Sequence, residues 1–209
     1  MYIPDHFRMP DEDVAAFLRQ ARTGTLVTVD ASGNPAATFL PWTLAEPTRL
    51  TSHIGRVNPQ SRHGGPALVI LMGDDAYVSE TWMAPGAAPS WNYETVHLYG
   101  ELVLHTDPDW IIDSWDAMLR RFSCRTVADY DRAWLIAQAR AATGVEVTIS
   151  QIQAKSKLSQ NHAEAEIRSI ADHLEPACPH LADRMRTVSL PHVARRDERV
   201  RAAVPYRLD

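Results

Sequence analysis

Short β-branched and apolar segments, each closed by a turn rich in Gly, Pro, Asn or Ser, recur along this chain, and that spacing constrains the fold more than any other feature. Strand signals cover residues 25–29, 37–44, 50–54, 67–72, 76–79, 95–106 and 145–152. The turn Ala31-Ser32-Gly33-Asn34-Pro35 joins the first two, and Pro41 marks the second as an edge strand or a bulge. The run Ala67-Leu68-Val69-Ile70-Leu71-Met72 has no polar residue, so it reads as a central strand buried on both faces. About seven short strands at hairpin spacing, with helices around them, imply an α+β fold: a split antiparallel β-barrel with peripheral helices.

Helical patterns flank the strands. Pro10 and the acidic run Asp11-Glu12-Asp13 open a helix over 10–22. Asp107-Pro108 opens another, whose stripe is Trp110, Ile111, Trp115, Met118, Leu119 and Phe122. Further helices are expected over 127–141 and 161–174. The segment 175–209 is poorly patterned and rich in Pro and Arg. The division expected is a cofactor-binding domain over 1–175 and a C-terminal extension over 176–209. Val188, Leu190, Val193 and Val204 give that extension apolar residues to bury on the same domain or on a dimer partner.

The bulk numbers exclude some function classes. The net charge of −5 lacks the basic excess of a nucleic-acid-binding domain, and acids dilute the arginines near the end. No apolar run approaches the ~20 residues that span a bilayer, and residues 1–10 do not read as a signal peptide. The cytoplasm is the expected location, with Cys124 and Cys178 as free thiols. Cys178, His180 and His173 make a poor zinc set, and no phosphate loop, nucleophile elbow or dinucleotide fingerprint is present.

Two clusters stand out. Residues 52–63 carry two arginines, two histidines and two amides: His53, Arg56, Asn58, Gln60, Arg62 and His63. Arginine pairs bidentately with phosphate or carboxylate, so the cluster suits an anion; as a bland alternative it is a polar surface connection. The second holds Glu80, Trp82, Trp91, Tyr93 and His97. Aromatic residues near loops wall planar cofactors, or simply pack a loop onto the barrel, and a lone strand histidine such as His97 is commonly a core residue.

Four motifs, in order, resemble one family. They are Met1-Tyr2-Ile3-Pro4-Asp5-His6-Phe7, His53-Ile54-Gly55-Arg56-Val57-Asn58-Pro59-Gln60, Ser90-Trp91-Asn92-Tyr93 followed by Val96-His97-x-x-Gly100, and Lys157-Leu158-Ser159-Gln160-Asn161. Together they are similar to the PaiB-like proteins, the FMN-binding negative transcriptional regulator type. The resemblance runs from residue 1 to about 175. It implies a split barrel of the pyridoxine-phosphate oxidase group, and a homodimer with cofactor pockets where the subunits meet. The chain departs where the family usually has Trp after Asn-Pro-Gln: here Ser61-Arg62-His63 stands. It departs again at Ser79-Glu80-Thr81-Trp82-Met83, where the family usually reads Ser-Pro-Ser-Trp-Tyr.

An added imidazole beside emptied space points within that family to the haem-dependent piperazate synthases. These close N5-hydroxy-L-ornithine into L-piperazic acid by forming an N–N bond. On that reading the cofactor is haem b, with His63 as axial ligand and His53 or His97 as alternates. Arg56 and Arg62 hold propionates or the carboxylate of a small amino-acid-like substrate, and Glu80 or His97 takes a proton. The alternative is an FMN-loaded regulator or flavin redox protein. Arg56, Asn58 and Arg62 then hold the flavin phosphate, and Trp91 and Tyr93 lie near its ring.

Overall fold

The computed structural model describes residues 1–203. In chain order the elements are α1 (Asp11–Gln20), β1 (Thr23–Val29), β2 (Pro35–Pro41), β3 (Thr43–Glu46), β4 (Arg49–Gly55), β5 (Gly65–Val78) and β6 (Ser90–His105). Then follow α2 (Pro108–Phe122), α3 (Arg132–Ala141), β7 (Ala142–Lys157), α4 (Glu164–Leu174), α5 (Pro179–Arg184) and α6 (Leu190–Ala203). The seven strands form one sheet in the order β2-β1-β5-β6-β7-β4-β3. The pairs β1–β2, β1–β5, β3–β4 and β4–β7 are antiparallel. The chain is thus the α+β split barrel that the strand spacing implies.

Two compact units share these elements. The first comprises Met1–Asp11, Gly73–Thr95 and the described residues from Ala154 onward; the second comprises Glu12–Met72 and Val96–Gln153.

The second unit is the barrel. Its interior is built by alternation, with Leu26, Leu50, Ile54, Val69 and Val145 all nearly inaccessible. β2 ends at Pro41, which has no N–H to continue a ladder. Trp42 then turns inward and donates its indole N–H to Gly24 O at 3.2 Å. The hydroxyl of Ser52 on β4 donates to Pro41 O at 2.6 Å, tying the end of β2 to β4. The continuous strand expected over 37–44 is therefore two strands broken at Trp42. Asp107 caps α2 by accepting from Asp109 N–H, and Asp131 caps α3 by accepting from Trp134 N–H. Ile111, Ile112, Leu135, Ala139 and Ala142 form the core beneath these two helices.

The first unit is largely helical. Leu158, Ile167, Ile170, Leu181, Met185 and Val193 form its core. Residues 179–203 are helical throughout, with a π-helical turn, Met185–Ser189, between α5 and α6. The unpatterned tail expected from the sequence is thus mostly ordered helix, and its apolar residues Val188, Leu190 and Val193 pack on this core. Val204 lies outside the described residues.

Three further expectations are corrected. Residues 67–72 are not buried on both faces: Ala67, Val69 and Leu71 are buried, whereas Met72 is 55% exposed. Residues 76–79 are no separate strand, since β5 runs unbroken through Gly73-Asp74-Asp75. Trp91 and Tyr93 stand on β6 and not in a loop, because β6 starts at Ser90.

Candidate functional site

The loop that leaves β4 is built as a rigid platform in the second unit. Its backbone turns through Asn58 N–H to Gly55 O and Ser61 N–H to Asn58 O, each 2.9 Å. The Asn58 side chain accepts from Gln60 N–H at 2.9 Å and donates to Thr38 Oγ1 at 3.1 Å. Gln60 is buried and holds the loop to β1 and β2. It donates to Thr28 Oγ1 at 2.9 Å and Ala36 O at 3.3 Å, and accepts from Thr38. The Ser61 hydroxyl lies 2.8 Å from Arg56 O and 2.7 Å from Asn58 O, donating to one at a time.

This platform leaves Arg56, Arg62 and His63 exposed. Arg56 donates one Nη2 bond, to Ala142 O at 3.3 Å, and the two guanidiniums have no carboxylate partner among the described residues. No Asp or Glu occurs over 47–73 in a chain that carries 26 of them. Two uncompensated guanidiniums on a fixed loop are a donor set for a dianion. They fit the phosphate of FMN and the propionates of haem alike. Asn58, expected to touch the cofactor, spends its side chain on Gln60 N–H within the loop and on Thr38 of β2.

The histidines separate. His63 is exposed beside Arg62. His97, on β6, is half-buried, and burial pushes its imidazole below the usual histidine range. Its Nδ1 is buried without a partner among the described residues. His53, on β4, is also held neutral by burial, and its ring packs edge-on to Trp115 of α2 at 5.6 Å. It opens on a cavity of about 280 Å³, lined by Trp115, Tyr130 and Trp134, by Met118, Leu119 and Leu135, and by Gln138 and His53. No other histidine lines this cavity. Its volume lies at the lower edge of the ~300–1,000 Å³ of pockets that enclose drug-sized ligands, too small to enclose a haem macrocycle.

Glu80, Trp91 and Tyr93 lie in the first unit. Glu80 is exposed and accepts from the Tyr77 hydroxyl at 3.2 Å. Trp91 is 48% exposed and donates its indole N–H to Asp75 at 2.8 Å. Lys155 sits over the Tyr93 ring at 5.4 Å. Trp82 stacks on His173, with ring centroids 5.0 Å apart, and packs on the core.

In the same unit the first motif, the Ser90–Tyr93 part of the third and the fourth meet, with Lys157 over the Phe7 ring at 6.0 Å. Lys157 donates to Ser90 Oγ and Trp91 O, each 2.6 Å. Ser159, in the left-handed region at φ 66°, donates to Asn92 Oδ1 at 3.0 Å. Gln160 donates to Ser156 O at 2.7 Å, and Met9 N–H bonds Ala154 O at 3.3 Å. Glu94 is buried, accepts from Ser156 Oγ at 2.6 Å and pairs with Arg184 at 3.0 Å. Sequence reasoning missed Gln60 and Thr38 as loop anchors, and also the cavity residues of α2 and α3.

The fold and this loop define a split-barrel protein that presents two exposed guanidiniums without carboxylate partners among the described residues. Residues 1–151 match the family model described as "Putative FMN-binding domain". The chain belongs to this PaiB-like, FMN-binding split-barrel family. It is 29% identical over 189 residues to protease synthase and sporulation protein PAI 2 of Bacillus subtilis, covering 84% of this chain and 89% of that protein. The fold is similar to a conserved hypothetical protein of Mycobacterium tuberculosis, with a TM-score of 0.58, 14% identity, and 78% of this chain and 95% of that one covered. It is also similar to an FAD and haem binding protein of Mycobacterium smegmatis, with a TM-score of 0.55, 20% identity and 71% of each chain covered. No helix among the described residues is long and apolar enough to cross a membrane.

Proposed function

We propose that this chain binds FMN, its phosphate anchored by Arg56 and Arg62, and works as a flavin-dependent redox or regulatory protein. The observation that carries this reading is the rigid 55–63 loop, which presents two guanidiniums without carboxylate partners. Family membership supports it. When bound, FMN supplies one- and two-electron chemistry; the chain's own residues hold its phosphate and orient it. Assembly as a homodimer belongs to the same proposal. Apolar side chains left open on the second unit, Phe39, Met72 and Val103, are consistent with a second copy. The purified protein is expected to be yellow and to release FMN on denaturation. Arg56→Ala and Arg62→Ala should each weaken FMN binding about 10- to 100-fold, the effect of one charged hydrogen-bonding partner. A colourless protein with no affinity for added FMN overturns the reading.

A second reading has its own observation. Where the family usually places Trp, the Ser61 hydroxyl folds back on the loop carbonyls, and the His63 imidazole stands exposed beside Arg62. A haem b site would use this, with His63 (or His97) holding the iron and Arg56 and Arg62 the propionates; His53, the other expected alternate, faces a cavity too small for the macrocycle. Haem iron supplies a Lewis acid when bound. The activity is then piperazate synthesis from N5-hydroxy-L-ornithine, with Glu80 or His97 accepting the proton from the amine. A Soret band lost in His63→Ala supports this reading, and a flavin spectrum in its place removes it.

A further inference from the structure

The cavity behind His53 is a second site in the barrel unit. Three aromatic rings wall it, Trp115, Tyr130 and Trp134, and Tyr130 and Trp134 stack on each other with centroids 5.8 Å apart. Met118, Leu119 and Leu135 supply the aliphatic part. No Asp, Glu, Lys or Arg lines it, and burial keeps the His53 imidazole uncharged near neutral pH. The polar groups in the lining include the His53 ring and the Gln138 amide, neither of which has a side-chain hydrogen-bond partner among the described residues. An apolar cavity of roughly 150 Å³ is enough to hold benzene. At about 280 Å³ this one has room for two fused rings. A charged ligand entering it would lose hydration that no lining side chain replaces with a full charge; the cation beside it, Arg125, lies over the Tyr130 ring at 5.7 Å.

We propose that this cleft between α2, α3 and β4 binds a neutral, flat, bicyclic heteroaromatic molecule whose polar edge pairs with His53 and Gln138. The aromatic walls stack on the rings of the ligand, and the imidazole and amide supply both a donor and an acceptor for one polar edge. This inference goes beyond the cofactor reading and does not depend on it, since Arg56, Arg62 and His63 do not line the cleft.

The test uses the full chain and 2-quinolone, a neutral bicycle with adjacent N–H and C=O, titrated by calorimetry and by tryptophan fluorescence. Quinoline-2-carboxylate serves as the charged comparator. One saturable site per chain is expected for 2-quinolone, with the carboxylate at least about 10-fold weaker. Gln138→Leu and His53→Leu should each weaken 2-quinolone roughly 5- to 10-fold, the effect of one hydrogen bond. Gln138 is exposed on its helix, so Gln138→Trp should fold normally and abolish binding by filling the cleft. Arg56→Ala should leave 2-quinolone binding unchanged whatever it does to FMN, which separates failure here from failure of the cofactor reading. Absent saturable binding, equal affinity for the carboxylate, or binding undiminished in Gln138→Trp overturns the proposal. So does a change from dimer to monomer in Gln138→Trp without 2-quinolone binding, which makes the cleft a subunit contact.

Discussion

Gln60 is a polar side chain enclosed by the barrel, and it is tolerable there because donors and acceptors surround it. Removing it takes away the partners of Thr28 Oγ1 and Ala36 O and the acceptor of the Thr38 hydroxyl at once, leaving Thr38 only its bond from Asn58. Gln60→Ala should therefore cost about 2–3 kcal/mol, read from the denaturant midpoint. Glu94 poses the same question with charge. It pairs with Arg184 and accepts from Ser156, so Glu94→Ala breaks a mostly buried ion pair and should cost about 3 kcal/mol. The histidines add a pH dependence. His53, His97 and His192 are each held below the ordinary value first of all by burial. The folded chain then binds fewer protons than the unfolded one as pH falls below the free-histidine value of about 6.5. Stability is full above that pH and declines below it, toward the folded-state values. Denaturation midpoints at pH 8 and pH 5.5 should show this loss, and His53→Gln with His97→Gln should reduce it.

At the scale of strands and helices, close approach decides which substitutions survive. A methyl group on Gly100 would lie 2.1 Å from Thr148 O, so β6 and β7 pack there only because no side chain intervenes. Gly100→Ala should destabilise by about 3 kcal/mol in urea unfolding, the upper end of ordinary overpacking. Much of this architecture is legible in the sequence: the β-branched run of β1, the alternation of β7 and the cap Asp107 lie where residue chemistry puts them, whereas the helix expected from 127 starts only at Arg132, after Asp131. The long reach of β5 and β6 is not, because Asp74, Asp75 and Ser90 are polar and resemble turn residues when they stand on an outward face. The C-terminal helices are hidden for a related reason. Pro179 resembles a breaker, yet it sits in the first turn of α5, where no N–H is needed, and Pro191 resembles another, yet it follows directly on the π turn inside the helical run. The anion platform is visible as residue types at 52–63. The cleft is not, because its lining comes from β4, α2, α3 and the turn before α3, and only packing brings these together.

For the whole molecule, the charge distribution matters more than the total. An acidic chain whose stretch 47–73 contains no acid should attract an anion locally while repelling it elsewhere. FMN binding should weaken as salt rises from about 0.05 to 0.5 M, while 2-quinolone binding should hardly change. The π-helical turn Met185–Ser189 bears on how the sequence tolerates changes in length. A π turn closes i→i+5 bonds where an α turn closes i→i+4, so it carries one surplus residue. Excising Thr187, which is exposed, lets the coil tighten to ordinary pitch while Val193 keeps its heading into the interior. Excising Asp172 from α4 has no such slack to absorb it and swings everything beyond by about 100°. Single-residue gaps should therefore be accepted at the first place and rejected at the second.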